Sequence, residues 1–431
     1  MFRRGSRSDG NHNILFAICL FVFMFSLGSG IASPIVPLYS SSLGASYIQI
    51  GIIGTAYGLV YAISAVLLGK LSDKLGRKVI MLLGATLCTF AAASYSIATN
   101  VNQIMLIRAI EGLAWAAFFP SIEALTTDVS SVSAVGRTMG LSTASYGAGF
   151  ALGSLLAGTL ASYFGYRYTF LFYLASAILA TVLGLTMVHE PKKIVLHQLN
   201  PSKTASKSIG LRHRANILAD LISMVYSIVL MTILTLLPVY AEGLGIEVFS
   251  IGVLMMMLWV ARITSFLNAG RVSDKMGRKL VLTPSLAGLA VGSFLLAVSE
   301  TWLNLVLAVI VIGLSLGALF PVSIALISDH VPSSQRGVAM GMFETASAVG
   351  QTIGPAVGGV LAERFSPSYP YLFCAIASMI CTLVASIFAL RISIGSPSLS
   401  MYDSVARRAL SGRISGLAEC KILIKLSLIH I

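Results

Sequence analysis

The sequence predicts an all-α integral membrane protein of twelve transmembrane helices, arranged as two pseudo-symmetric six-helix bundles, and three observations predict it. The 431 residues are 56% hydrophobic and only 10% charged, whereas a soluble domain carries about 25% charge. Apolar stretches long enough to cross a hydrocarbon core of ~30 Å recur as spans 1 to 12, at 14–38, 49–69, 79–98, 104–126, 139–162, 168–188, 217–240, 250–269, 280–299, 302–328, 339–363 and 370–391. Finally, the segment Gly69-Lys-Leu-Ser-Asp73-Lys-Leu-Gly76-Arg77-Lys78 returns as Gly270-Arg-Val-Ser-Asp274-Lys-Met-Gly277-Arg278-Lys279, an offset of 201 with seven of ten positions identical. A repeat at fixed period marks one structural unit used twice.

The runs read as helices because a backbone in lipid must satisfy its own hydrogen bonds, and they are too long for barrel strands. Span 1 follows Arg3, Arg4 and Arg7, the flank of a signal peptide. Its repeat partner, span 7, is internal and cannot be cleaved, so span 1 is read as a retained helix. The offset carries Pro37 and Tyr39 of span 1 onto Pro238 and Tyr240 of span 7. Spans 2 and 8 lead into the repeated loop, where Gly76 and Gly277 permit the tight turn and the basic residues pin it to one membrane face. Spans 4 and 10 share Phe119-Pro120 and Phe320-Pro321 and end near Asp128 and Asp329. Spans 5 and 11 open on Gly136, Met139 and Gly140 and their partners Gly337, Met340 and Gly341. Spans 6 and 12 share Leu171-Phe172 and Leu372-Phe373.

The organisation that follows is a polar N-terminal arm at 1–12, a first bundle at 13–190, a basic linker at 191–212, a second bundle at 213–391 and a tail at 392–431. The tail has no repeat partner and is read as partly artefactual. Of the 29 Lys and Arg residues, all but Arg108, Arg167, Arg262 and Arg364 lie in the N-terminus, the even-numbered loops or the tail. The positive-inside rule therefore places both termini and the linker in the cytoplasm, with the chain in the cell membrane. The net charge of +13 is topological and does not point to nucleic acid. Five cysteines are scattered without a close CxxC pair and read as free, small apolar residues. There is no GxxxxGK[ST] loop, which disfavours an ATP-driven pump. The six histidines all fall near boundaries or in tails, which disfavours an enzyme. No metal or cofactor is expected.

Charged residues inside spans are the sharper signal, since each costs about 2.5–3.5 kcal/mol at a helix centre and needs a partner or a wet cavity. Arg108 and Glu111 stand at i, i+3 on span 4, while their repeat partners are Val309 and Ile312. The fold itself therefore does not require the pair, and Glu111 reads as a reversible proton carrier or half of a structural ion pair. Arg262 on span 8 and Glu344 on span 11 face Tyr61 and Thr143 across the repeat. Both lie roughly 10–14 Å from the basic boundary at 1.5 Å per residue, so a pair between them is expected, structural or opening to a charged substrate. Glu123 is an inner proton site or a solvated boundary residue. Asp220 reads as a solvated first-turn acid. Met255, Met256, Met257, Trp115, Phe118 and Tyr146 are candidates for a deformable pocket, or else packing.

The repeated loop resembles the signature loop of the major facilitator superfamily. Arg108-x-x-Glu111-Gly112 is similar to that family's second motif, with an acid where an amide is usual. Gly350-x-x-x-Gly354-Pro355-x-x-Gly358-Gly359 in span 11 resembles its antiporter glycine-proline motif. Pro34-x-x-Pro37-x-Tyr39 and the first loop look most like the drug:proton antiporter branch, and the resemblance covers about residues 12–391. Two departures stand out. Span 5, where that branch places the proline, reads Gly149-x-x-x-Gly153-Ser154-x-x-Ala157-Gly158 without it, and span 1 lacks an acidic residue. The resemblance implies a monomeric secondary transporter in the lipid bilayer, with a small-molecule substrate held near the midplane between rocking halves. It implies that Asp73 accepts hydrogen bonds from the N-terminus of span 11 and latches the cytoplasmic side shut. The expected activity is proton-coupled efflux of a hydrophobic or amphipathic compound. Alternatives are uptake or facilitated transport of a polar or anionic metabolite drawn by Arg108 and Arg262, and a non-transporting membrane sensor.

Overall fold

The computed structural model describes residues 5–130, 135–188, 209–332 and 335–394. Within them the chain forms α1 (Gly5–Ser42), α2 (Tyr47–Leu75), α3 (Arg77–Ile97), α4 (Val101–Asp128), α5 (Val135–Phe164) and α6 (Tyr166–Thr186) in the first half. The second half forms α7 (Ile209–Gly243), α8 (Val248–Met276), α9 (Arg278–Ala297), α10 (Trp302–His330), α11 (Arg336–Arg364) and α12 (Tyr369–Ile394). Most of the linker and the tail from 395 lie outside the described residues. Helices α1 and α7 start earlier than the apolar runs because helix geometry continues past the hydrocarbon boundary. By packing, the chain separates into Met1–Leu383 and Val384–Ile431. The first holds the bundle helices, and the second, among described residues, is the last part of α12.

Eleven of the helices are long and apolar enough to cross a membrane. Helix α11 falls short in hydropathy although it has 29 residues. Glycine, alanine, serine and threonine occupy positions that a lipid-facing helix gives to leucine.

The repeat is visible in the packing and in the details. Helix α1 packs on α5 as α7 packs on α11; α2 packs on α4 as α8 on α10; α3 packs on α4 as α9 on α10. Gly76 and Gly277 adopt φ of 104° and 95°, a region that only glycine enters cheaply. Asn100 and Thr301 cap α4 and α10 by accepting from the N–H three residues on, which satisfies an otherwise orphaned donor. The Tyr39 hydroxyl donates to the Ala98 carbonyl at 2.6 Å, and the Tyr240 hydroxyl to the Ser299 carbonyl at 2.8 Å. Each of these pairs sits at the same offset.

The halves meet chiefly where α2 packs on α11 and α5 packs on α8, and the contact runs from one end to mid-helix, where a Cβ added to Gly58 would lie 2.8 Å from the Gln351 carbonyl oxygen. On the face bearing the α1–α2 and α7–α8 turns, called here the far face, backbones touch. A Cβ added to Gly252 would lie 2.7 Å from the Gly158 Cα, and one added to Gly359 would lie 2.9 Å from the Gly51 Cα. These two glycine pairs are equivalent under the repeat. Beside them the Tyr47 N–H donates to Glu363 Oε2 at 2.8 Å and the Tyr166 hydroxyl to Glu242 Oε1 at 2.9 Å. At the opposite end, the basic face, Gly69, Gly136, Gly140, Gly270, Gly337 and Gly341 have nothing within 4 Å of a built Cβ among the described residues. Among the described residues the bundles are closed on the far face and parted on the basic face.

Gly252→Val is therefore expected to force α5 and α8 apart. With native cysteines replaced, a cysteine at Ser33, which lines the space between the halves, should react several-fold faster with an impermeant thiol reagent added from the far side. Unchanged reactivity would show that this glycine contact does not hold the closure.

A candidate substrate site between the halves

Helix α4 carries a buried charge pair. Arg108 Nη1 lies 2.6 Å from Glu111 Oε2, with side chains 12% and 1% exposed. Glu111 also accepts from the Tyr95 hydroxyl of α3 at 3.0 Å and the Tyr173 hydroxyl of α6 at 3.1 Å, while the guanidinium sits 4.6 Å from the Tyr57 ring centroid on α2. The repeat counterparts of Arg108, Glu111, Tyr95, Tyr173 and Tyr57 are Val309, Ile312, Leu296, Cys374 and Leu258. One half thus replaces the whole polar cluster with small or apolar packing.

That cluster borders a cavity of about 180 Å³ between the bundles. All five charged candidates, Arg108, Glu111, Glu123, Arg262 and Glu344, line it. Its walls are aromatic. Phe118 lines it and is backed by buried Phe25, with centroids 3.7 Å apart, and Phe150 of α5 stacks on Trp259 of α8 at 4.3 Å. Trp115, Phe118 and Tyr146 are lining residues as the sequence suggested, but Met255, Met256 and Met257 are not among them. Met255 is fully buried and Met256 packs against the core.

Two expectations need correction. No ion pair joins Arg262 to Glu344 among the described residues. Instead Arg262 Nη2 donates to the Tyr226 hydroxyl, and the guanidinium lies 4.6, 5.6 and 6.0 Å from the rings of Trp259, Tyr226 and Tyr146. Counting residues from the boundary gives the depth of a side chain but not its direction around the helix, and α8 turns Arg262 toward α7. Glu123 is half-buried and lines the cavity, a position open to both of its readings. Asp220 is not in a first turn, because α7 begins at Ile209, and its Oδ1 is buried without a hydrogen-bond partner.

The repeated loops form matching charge clusters on the basic face. Arg77 Nε pairs with Asp128 Oδ2 at 2.9 Å and Nη2 with Asp73 Oδ1 at 3.7 Å. Arg278 Nε pairs with Asp329 Oδ2 at 2.9 Å and Nη1 with Asp274 Oδ1 at 2.5 Å. Lys78 Nζ donates to the Leu185 carbonyl at 2.9 Å. The Asp73 side chain is 72% exposed, and no bond from it to α11 occurs among the described residues. The hydrogen bond expected from the N-terminus of α11 to Asp73 is thus not made among the described residues.

The glycine-proline motif of α11 serves two contacts. A Cβ on Gly350 or Gly354 would strike the Met224 or Ile228 carbonyl of α7, and Gly358 faces Leu236 and Thr232 of the same helix. Gly359 and Pro355 instead abut Gly51 and Gly54 of α2. In α5, Gly149 and Gly153 contact α1 and Gly158 contacts α8, so the missing proline leaves the pattern intact. Sequence reasoning missed Gly51 and Gly252, although they lie at the repeat offset. It also missed Trp259 and Tyr226, whose counterparts Gly58 and Phe25 make them as asymmetric as Arg262.

Two helical bundles that touch on one face, part on the other and enclose an aromatic, charge-bearing cavity define a polytopic membrane carrier. The chain belongs to the Major Facilitator Superfamily, which it matches over residues 18–275 and 219–411. It is a transporter of small molecules rather than an enzyme. It is 26% identical over 385 residues to multidrug resistance protein 2 of Bacillus subtilis, covering 87% of this chain and 95% of that one. It is 23% identical over 383 residues to the quinolone resistance protein NorA of Staphylococcus aureus, covering 86% and 96%. An uncharacterized MFS-type transporter of Methanocaldococcus jannaschii is 24% identical over 380 residues, with 86% and 97% covered. Among solved structures, the nucleoside transporter NupG aligns with a TM-score of 0.73 at 17% identity over 87% of this chain and 99% of its own. The peptide transporter POT aligns at 0.72 and 16%, over 88% and 94%. At that identity the structures speak to fold alone.

Proposed function

We propose that the protein exports a hydrophobic or amphipathic organic compound by alternating access, in exchange for protons. The observation that carries this reading is one cavity with aromatic walls that also holds Glu123 and Glu344, neither of them in an ion pair among the described residues. The names of the multidrug and quinolone resistance relatives support it. By the positive-inside rule the basic face is cytoplasmic, with both termini on that side of the cell membrane. The open end is then the one from which an exporter loads. Carboxyl groups in a membrane cavity without a fixed cation are suited to exchange protons. Glu111, held by three donors, is suited to shape the site.

The test uses the purified full chain, acting as a monomer, in proteoliposomes. A panel of labelled lipophilic compounds should accumulate against a gradient when a pH difference is imposed, and a protonophore should collapse that accumulation. Equal movement with and without the gradient would leave a facilitator, and no movement of any compound would remove the carrier reading.

In this reading Asp73 latches the cytoplasmic side in the outward-facing state only, so its loss shifts the equilibrium between states. Asp73→Asn should slow transport several-fold and reduce disulfide crosslinking between cysteines placed at Lys74 and Gly337. If both are unchanged, the loop is a topological anchor.

A further inference from the structure

The cavity holds two guanidinium groups, and only one of them is neutralised. Arg108 is matched by Glu111 at 2.6 Å. Arg262 has no carboxylate within ion-pair distance among the described residues. Its Nη2 donates to a neutral phenol, and its Nη1 is buried with no hydrogen-bond partner. Rings around a cation lower its cost but carry no net charge, and a buried donor left unmade is expensive. A guanidinium presents its N–H groups as a planar fork that fits a carboxylate, sulfonate or phosphate.

We propose that Arg262 is the anion subsite of the transport cavity, and that the substrate is an organic anion whose flat apolar body packs against Trp115, Tyr146 and Phe150. This rests on the reading of the cavity as the transport site. A second observation supports it independently. The repeat counterparts of Arg262, Trp259, Tyr226 and Tyr146 are Tyr61, Gly58, Phe25 and Ser347. No part of the cage is scaffold that both halves share, with Tyr146 contributed by the first half and the other three residues by the second. It also touches the joint between halves. Trp259 has Phe150 of α5 stacked at 4.3 Å and the Arg262 guanidinium at 4.6 Å. An anion that draws Arg262 away from Trp259 therefore perturbs a stack that bridges α5 and α8. Occupancy and interface packing share one side chain, which gives a ligand the differential contact needed to bias one state.

The experiment measures binding of four probes with one ring system to the full-length protein in nanodiscs: naphthalene-2-carboxylate, naphthalene-2-sulfonate, 2-naphthalenemethanol and (2-naphthylmethyl)trimethylammonium. The two anions should bind at least ~10-fold tighter than the neutral alcohol, as a charge-assisted pair implies. Arg262→Met should abolish that preference, and Arg262→Lys should retain part of it. A single symmetric elution profile and an unchanged circular dichroism spectrum serve as the folding control; if Arg262→Met does not fold, Arg262→Gln takes its place. Equal binding of anion and alcohol to the unmodified protein, or an anion preference that survives Arg262→Met, would overturn the proposal. Flux of the alcohol or the ammonium probe in vesicles without anion preference would also overturn it while leaving the carrier reading intact. Failure of all four to bind or move would count against both.

Discussion

Arg108→Ala is expected to destabilise the protein by about 3–5 kcal/mol, the usual cost of removing one partner from a buried ion pair. The Glu111 carboxylate is 1% exposed and would keep only the two tyrosine hydroxyls as donors. Phenols satisfy lone pairs but do not neutralise a charge. The repeat supplies the control, because the second half builds the same helix with Val309 and Ile312 at these positions. The double replacement Arg108→Val with Glu111→Ile should therefore recover most of the stability lost in the single one, since apolar replacement of a whole buried pair is often neutral. Unfolding midpoints in one detergent, read with circular dichroism, would compare the three proteins. A double variant as unstable as the single one would mean that Tyr95 and Tyr173 cannot lose their acceptor, and that the cluster is a unit of four.

How far the sequence reaches is itself physical. The two-bundle architecture is legible because the offset of 201 places the same turn, cap and loop chemistry at equivalent points, and no knowledge of contacts is needed to count it. The charged candidates are legible because an ionisable group at membrane depth is costly and must be accounted for; all five do line one cavity. Their pairing is not legible. Arg108 and Glu111 meet because i, i+3 on one helix fixes both height and direction. Arg262 and Glu344 lie on different helices, where the sequence fixes height alone, and a 3.6-residue helix can turn a side chain to any neighbour. The glycine contacts show the same boundary. Small residues at i, i+4 announce close packing, but which neighbour each one meets depends on the crossing of α5 with α8 and of α2 with α11. Helix α11 hides its membrane role from hydropathy for that reason, since the residues that allow backbones to approach are poorly hydrophobic.

Glu344→Gln and Glu123→Gln are each expected to abolish accumulation driven by a pH gradient while preserving exchange of substrate at equal pH. The two acids stand on opposite halves, Glu123 on α4 and Glu344 on α11, and both line the cavity where the halves separate. A proton carrier releases its proton on one side and regains it on the other, which is simplest for an acid that faces the alternating space without a counter-ion. Glu111 is instead tied to Arg108, Tyr95 and Tyr173 in this conformation. Glutamine imitates the protonated acid and cannot release a proton, so the halves should still rock with substrate bound. A gradient of one pH unit stores about 1.4 kcal/mol per proton, enough for about tenfold accumulation, and that factor should fall to one in either variant. Glu111→Gln, by contrast, should lower stability yet retain gradient-driven transport per folded molecule. Uptake into proteoliposomes with and without an imposed gradient, normalised to folded protein, separates these outcomes. Tenfold accumulation surviving in both Glu344→Gln and Glu123→Gln, with its loss in Glu111→Gln, would return the proton to the pair on α4 and make the two cavity acids substrate contacts.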